Sequence, residues 1–287
     1  MTAPEIDFPV SQTALLTTHF GDIAWVELLV ARMRAVFPEL PDGQIWVIDQ
    51  DRTSTSGQLL RDRLGDVNVL GFPLSPEHVR TTGHDHANVL NQAVRSIDAG
   101  YLLIFDSDAH PVSAAVRPFL ARLIEEYDAV LAALDRAGER THPCFLLLGP
   151  AVDRGRLYFD EHLFDAYVDT GRLIYSQIGA MGLRSALLRP TPAFEGLWGT
   201  TYADGMIYHH GSGSFASSSD TSLRAQAAAF RREHRFFRRL VFAGRYELSP
   251  VDRRLFPLLI LPRRLRAVAS RVRTRVLRVL GHEGASP

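Results

Sequence analysis

Tyr101-Leu102-Leu103-Ile104-Phe105-Asp106-Ser107-Asp108 decides the reading of this chain. Five apolar residues without a charge have the composition of a strand buried on both faces, the habit of parallel sheets. Two carboxylates close it. Open α/β sheets hold their ligands at the carboxyl ends of the strands, so the acids stand where chemistry is expected. Spaced i and i+2, they reach one site only if the chain turns after Phe105. Paired carboxylates at such a turn suit a hard divalent cation, which takes oxygen ligands and shares its shell with substrate phosphates. Acids after a strand also serve as helix caps and turn formers, so the motif alone leaves both readings open.

On the amino-terminal side, strand-like and helix-like segments alternate. Thr13–Thr18 reads as a first strand. Ile23, Val26, Leu29, Val30, Met33, Val36 and Phe37 recur at helical spacing, and Pro38 closes that helix. Gln44–Asp49 reads as a second strand with Asp49 at its carboxyl end, Ser56–Leu64 as a helix and Val67–Leu70 as a short strand. His86–Ile97 reads as a helix with Ala87, Leu90, Val94 and Ile97 on one face. The alternation predicts an α/β fold with a mostly parallel, doubly wound sheet and right-handed crossovers. Beyond the acid pair, a helix is expected over Ser113–Leu134 and a strand over Phe145–Leu148. Gly211–Ser219 reads as a Gly/Ser-rich loop.

The 287 residues are 46% hydrophobic, enough for one large α/β domain or two small ones. The single cysteine, Cys144, excludes an intrachain disulfide. Residues 1–10 hold two acids and no apolar run, so no signal peptide is expected. No uninterrupted apolar stretch approaches the ~18 residues of a spanning helix, and a cytoplasmic location is expected. The zero net charge conceals a division. Residues 1–230 carry 17 Arg against 28 acids (−11), and residues 231–287 carry 15 Arg against 4 (+11). The division suggests a second interaction surface in the basic part, and the chain is read as a catalytic region over 1–220 with a basic extension over 221–287.

Several segments resemble, in order, the motifs of nucleotide-sugar glycosyltransferases of the GT-A fold, close to the family 2 enzymes. Thr17 and Thr18 end the first strand. Val47-Ile48-Asp49-Gln50-Asp51 is similar to the second-strand signature. His86-Ala87-Asn88-Val89-Leu90-Asn91 is similar to the helix before the acid motif, and Asp106-Ser107-Asp108 to the metal motif itself. Phe145–Leu148, then Phe159-Asp160-Glu161, Asp169 and Tyr208-His209-His210-Gly211-Ser212-Gly213-Ser214 continue the order. The resemblance spans roughly residues 12–220.

This resemblance implies that Thr17, Thr18, Asp49, Asp51, Asn91, Asp106, Ser107, Gly211, Gly213 and Ser214 contact a nucleotide-diphosphate sugar. It implies Mn²⁺ or Mg²⁺ held by Asp106, Asp108 and His209, with His210 the adjacent alternative. Asp169, with Asp165 in reserve, would take the proton of the acceptor hydroxyl, and in-line displacement would then invert the anomeric centre. The acceptor would be a glycan or a lipid-linked glycan. Three positions depart from the pattern. Gln50-Asp51-Arg52-Thr53 replaces Gly-Ser, Val168-Asp169 replaces a pair of acids, and Phe215 stands where an arginine is usual. Phe194, Trp198 and Tyr202 suit either stacking on an acceptor sugar or core packing.

Arg263–Leu280 reads as an amphipathic basic helix after the apolar Phe256–Leu261. Residues 256–280 suit an anionic membrane surface, peripherally on the inner face. Packing on the acidic catalytic region, or a dimer contact, is the other reading. Nucleic-acid binding is not expected, because no known module or aromatic interleaving accompanies the arginines. Two further functions stand beside glycosyl transfer. A nucleotidyltransferase uses similar acids, but His19-Phe20-Gly21-Asp22 replaces the basic Gly-rich loop it needs. A catalytically silent, membrane-held scaffold is the other.

Overall fold

The computed structural model describes residues 7–51, 54–72, 82–134, 140–159, 170–211 and 233–257. Its elements are β1 (Thr13–His19), α1 (Ile23–Val36), β2 (Ile45–Asp49), α2 (Ser54–Leu64), β3 (Asn68–Leu70), α3 (Thr82–Ser96), β4 (Tyr101–Phe105), β5 (Ala109–Pro111) and α4 (Val116–Glu126). There follow β6 (Ala129–Ala133), β7 (Thr141–Leu148), α5 (Ile174–Ala180), β8 (Ser185–Leu188), β9 (Thr191–Pro192), β10 (Thr200–Tyr202) and β11 (Ile207–His209). Helices α6 (233–242) and α7 (250–257) come last.

Seven strands form one sheet in the order β3-β2-β1-β4-β7-β6-β8. All neighbours pair in parallel except β7, which is antiparallel to both β4 and β6. This is the mostly parallel, helix-flanked α/β arrangement expected. Period-two alternation explains how β4 holds the two faces together. Leu103 and Phe105 join Leu15 and Val47 beneath α1, α2 and α4, while Leu102 and Ile104 join Leu16 and Ile48 beneath α3 and α5. The four β4 side chains are at most 2% exposed. Burial of each contributes about 1.5–3 kcal/mol.

One expected element is corrected. The helix predicted over Ser113–Leu134 ends at Glu126, where Tyr127 turns to extended backbone (φ −127°, ψ 141°). Asp128 then anchors the chain, its carboxylate and backbone N–H both bonding the backbone of Arg184. Ala129–Ala133 becomes β6, buried at every position between β7 and β8. A five-residue apolar run has no period of its own, so helix and strand look alike in sequence.

The second, antiparallel sheet has the order β5-β11-β10-β9. Its outer face carries a third apolar cluster, in which Phe236, Phe237, Leu240, Val241 and Phe256 pack with Trp25, Phe194 and Tyr208. Arg238 pairs with Asp22, which caps α1, at 2.9 Å, and its guanidinium lies 4.3 Å from the Phe242 ring centroid. The first part of the basic segment thus packs on the α/β unit, and Phe194 is core. The helix expected over 263–280 lies outside the described residues. Among those described, no helix is long and apolar enough to cross a membrane.

Candidate functional site

The turn demanded by the acid pair is present. Ala109 N–H donates to Asp106 O at 2.9 Å, closing the chain back on itself directly after β4. Asp106 N–H donates to Cys144 O, holding the turn to β7. The chain then leaves as β5, which pairs with β11 so that His209 faces Ala109, and His210 N–H donates to Asp108 O at 3.0 Å. That register carries the His209 ring to the acids. His209 Nε2 lies 3.4 Å from Asp108 Oδ1 and 3.8 Å from Asp106 Oδ2. Asp108 is buried, whereas the Asp106 side chain is 22% exposed.

Burial disfavours a charged His209, yet its pKa stands well above 6.5, because Cys144 and Asp108 both face the ring. The surroundings therefore favour positive charge between the carboxylates. Two carboxylates and an imidazole within 4.8 Å of one another fit a divalent cation of the Mn²⁺ or Mg²⁺ type, and the nitrogen donor favours Mn²⁺.

The sequence reading missed His86. Its Nε2 lies 3.5 Å from Asp106 Oδ1, and its Nδ1 lies 3.3 Å from both Thr18 Oγ1 and Gln50 Oε1. One ring therefore joins the ends of β1 and β2 to the acid pair. A signal existed, since a helix feeding a parallel strand starts at the sheet's carboxyl edge, where ligands bind. Thr17 is fully buried in β1, and among the described residues its hydroxyl has no hydrogen-bond partner.

Other expected residues have defined surroundings. Asp49 accepts from the Ser56 hydroxyl and from Asp51 N–H at 3.1 Å, so its carboxylate shapes the β2–α2 turn. Asp51 accepts from Gly21 N–H at 2.9 Å and stands 3.4 Å from His19 Nε2. Although burial opposes it, the His19 and Gly21 contacts hold the Asp51 pKa below the usual carboxylate value. The Asn91 amide makes two hydrogen bonds to the backbone of Phe159, at 2.7 and 2.9 Å, and so ties α3 to the segment after β7. Ser107 is buried within the turn.

His210, the expected alternative ligand, has other partners in this structure. Its Nδ1 bonds the Tyr208 hydroxyl at 2.9 Å and its Nε2 bonds His234 Nδ1 at 3.0 Å, while Trp25 packs 4.6 Å from the ring. With both nitrogens engaged, His209 is the one that joins the carboxylates. Burial drives the His210 pKa well below 6.5. Asp165, Asp169, Gly213 and Ser214 lie outside the described residues. Gly211, at φ 72°, lines a cleft of about 420 Å³ together with His142, His209, Trp198 and Tyr202.

No family model matches the chain, and no curated protein matches it. Several solved structures resemble it at low identity. Against TarS 1-349 of S. aureus the identity is 13% and the TM-score 0.46, over 78% of this chain and 65% of that one. Against the mannosyltransferase PcManGT of Pyrobaculum calidifontis, solved with GDP-Man and Mn²⁺, the values are 14% and 0.44, over 96% and 76%. Against the bifunctional IspDF of Campylobacter jejuni they are 14% and 0.39, over 62% and 49%. This chain thus spans just under two thirds of the length of TarS 1-349. These are likenesses of overall fold, and the residue roles rest on the geometry above.

Proposed function

We propose that the chain is a glycosyltransferase that moves a sugar from a nucleotide-diphosphate donor to a glycan or lipid-linked acceptor, with Mn²⁺ or Mg²⁺. One observation carries this reading. Asp106, Asp108 and His209 meet at the carboxyl edge of β4, beside a cleft of a size suited to a sugar.

Asp108 and His209 would hold the cation, and Asp106 would bind the donor ribose or stand just outside the cation's ligands. A divalent cation there neutralises the charge that grows on the departing diphosphate. His86 fixes Asp106 against Thr18 and Gln50, so the carboxylate is oriented before the donor arrives. Gly211, with Gly213 and Ser214, offers backbone N–H groups to the phosphates. Asp169, with Asp165 in reserve, takes the proton of the acceptor hydroxyl, and a single displacement inverts the anomeric centre. Trp198, on the cleft wall, offers an apolar face to the acceptor, whereas Tyr202 is buried in the core. Of residues 256–280, Phe256 is packed on Phe236 and Phe237, and the part beyond it holds the enzyme at the anionic inner face of a membrane, near a lipid-linked acceptor.

Calorimetry with UDP-, GDP- and dTDP-sugars, with and without Mn²⁺, tests the reading. Metal-dependent binding of one nucleotide class is expected. No binding across the panel would remove glycosyl transfer as the function.

A further inference from the structure

A second donor cluster shares His209 with the acid pair but is built of softer atoms. His142 and Cys144 stand two apart on β7, so their side chains project to one face of the strand. His209 of β11 meets them there, its ring centroid 4.8 Å from that of His142. The ligating atoms of the three residues lie within 4.8 Å of one another. Cys144 is fully buried, whereas His142 and His209 both reach the wall of the cleft.

Two imidazoles and a thiolate are the donors of choice for zinc-class cations, and oxygen-seeking Mg²⁺ prefers the carboxylates. Bond lengths of about 2.0–2.3 Å place tetrahedral donors about 3.3–3.8 Å apart, so the triangle closes with side-chain shifts of about an ångström. Cys144 N–H now donates to His142 Nδ1 at 3.0 Å, and ligation through that nitrogen would exchange this hydrogen bond for a metal bond. A fourth ligand, water or another donor, would enter from the cleft that His142 and His209 line.

We propose that His142, Cys144 and His209 form a site for a thiophilic divalent cation of the zinc class, separate in donor chemistry from Asp106 and Asp108. Because His209 belongs to both sets, zinc bound here withdraws it from the acid pair. That consequence, unlike the site itself, rests on reading Asp106, Asp108 and His209 as the Mn²⁺ site. Zinc then acts as an inhibitor that competes with manganese.

Co²⁺ added to the reduced full-length chain tests the site by absorbance. Expected are a thiolate-to-cobalt charge-transfer band and the strong visible bands of a four-coordinate ion, saturating at one equivalent. Cys144→Ser should abolish the charge-transfer band, His142→Ala should weaken Co²⁺ binding at least tenfold, and Asp106→Asn should leave the band in place. Wild-type protein without a thiolate band overturns the proposal whether or not cobalt binds elsewhere, as does a band that survives Cys144→Ser. One equivalent of Zn²⁺ should weaken Mn²⁺ binding at least tenfold in wild type and clearly less in Cys144→Ser, where only the carboxylate set remains to take zinc. Equal Mn²⁺ affinity with and without zinc overturns the competition. Failure of Mn²⁺ to bind at all would count against the catalytic reading, while the cobalt band still decides the thiolate site.

Discussion

His209 Nε2 stands 3.4 Å from Asp108 Oδ1, although the residues are 101 positions apart in the chain. The contact depends on the pairing of β5 with β11, in which His209 faces Ala109. Side chains alternate along a strand, so a slip of one residue would turn His209 away and present Tyr208 or His210 instead. The donor set is therefore a product of register.

Replacing Asp108 by Asn keeps the shape of the side chain and removes its charge. Metal-dependent nucleotide binding is expected to weaken by at least about a hundredfold, since a direct ligand matters more than the ~10–100-fold typical of outer partners. His209→Ala should weaken it less, because two carboxylates remain. Calorimetry with Mn²⁺ on both variants measures this, and an Asp108→Asn protein that still binds nucleotide only with Mn²⁺ would remove Asp108 from the site.

The run Tyr101–Phe105 was legible as a buried strand because an uncharged apolar run before two acids has few other uses, and its boundaries match the structure. The helix before Pro38 was equally clear from its spacing, ending at Val36 with Phe37 as its cap. The junction at Tyr127-Asp128 was not legible. The strand after it is recognisable only from its neighbours β7 and β8, which lie at a distance in sequence. Asn91 shows the same limit within the site. A motif position fixes where a residue sits, but the backbone of Phe159, 68 residues on, determines what its amide binds. His86 escaped notice for a related reason, since only the assembled sheet brings Thr18, Gln50 and Asp106 around one ring.

Ser249 and Asp252 form a reciprocal cap on α7. Ser249 N–H donates to Asp252 Oδ2 at 3.1 Å, and Asp252 N–H donates to Ser249 Oγ at 3.2 Å. Ser249→Ala should cost about 1 kcal/mol and loosen Phe256 from Phe236 and Phe237. The Ser249 hydroxyl bond, helped by Arg245, holds the Asp252 pKa below 3.8. A carboxylate depressed on folding stabilises above its unfolded pKa, and that contribution is lost as pH falls through the lower folded value. Urea midpoints should therefore decline below about pH 4 through this group, and Asp252→Asn should flatten that part of the curve. An unchanged acid limb in the variant would rule the cap out as its source.

Gly199 has φ +72°, and a Cβ placed there would lie 2.7 Å from the Tyr208 hydroxyl and 2.8 Å from its ring. Gly199→Ala combines a disfavoured backbone with a collision against a buried ring, and a loss of about 2–4 kcal/mol is expected. Because Tyr208 precedes His209 and bonds His210, the displaced ring should also disturb the site. Thermal unfolding and Mn²⁺ binding of the variant measure the two effects, and an unshifted midpoint would show that Tyr208 yields without strain.

His86 touches Asp106 from the side opposite His209 and joins it to Thr18 and Gln50. If its part is to orient the Asp106 carboxylate, His86→Ala should weaken metal-dependent nucleotide binding by about 10–100-fold. The fold should barely respond, because the ring lies near the start of α3 and is partly exposed, outside the apolar face that Ala87, Leu90 and Val94 bury. Calorimetry and thermal unfolding separate the outcomes. Weak binding with an unshifted midpoint assigns His86 to positioning, and partial recovery in His86→Gln, which keeps a donor of similar reach, would support the same role. A lowered midpoint with unchanged nucleotide affinity would instead make the ring a brace between β1, β2 and α3 with no part in binding.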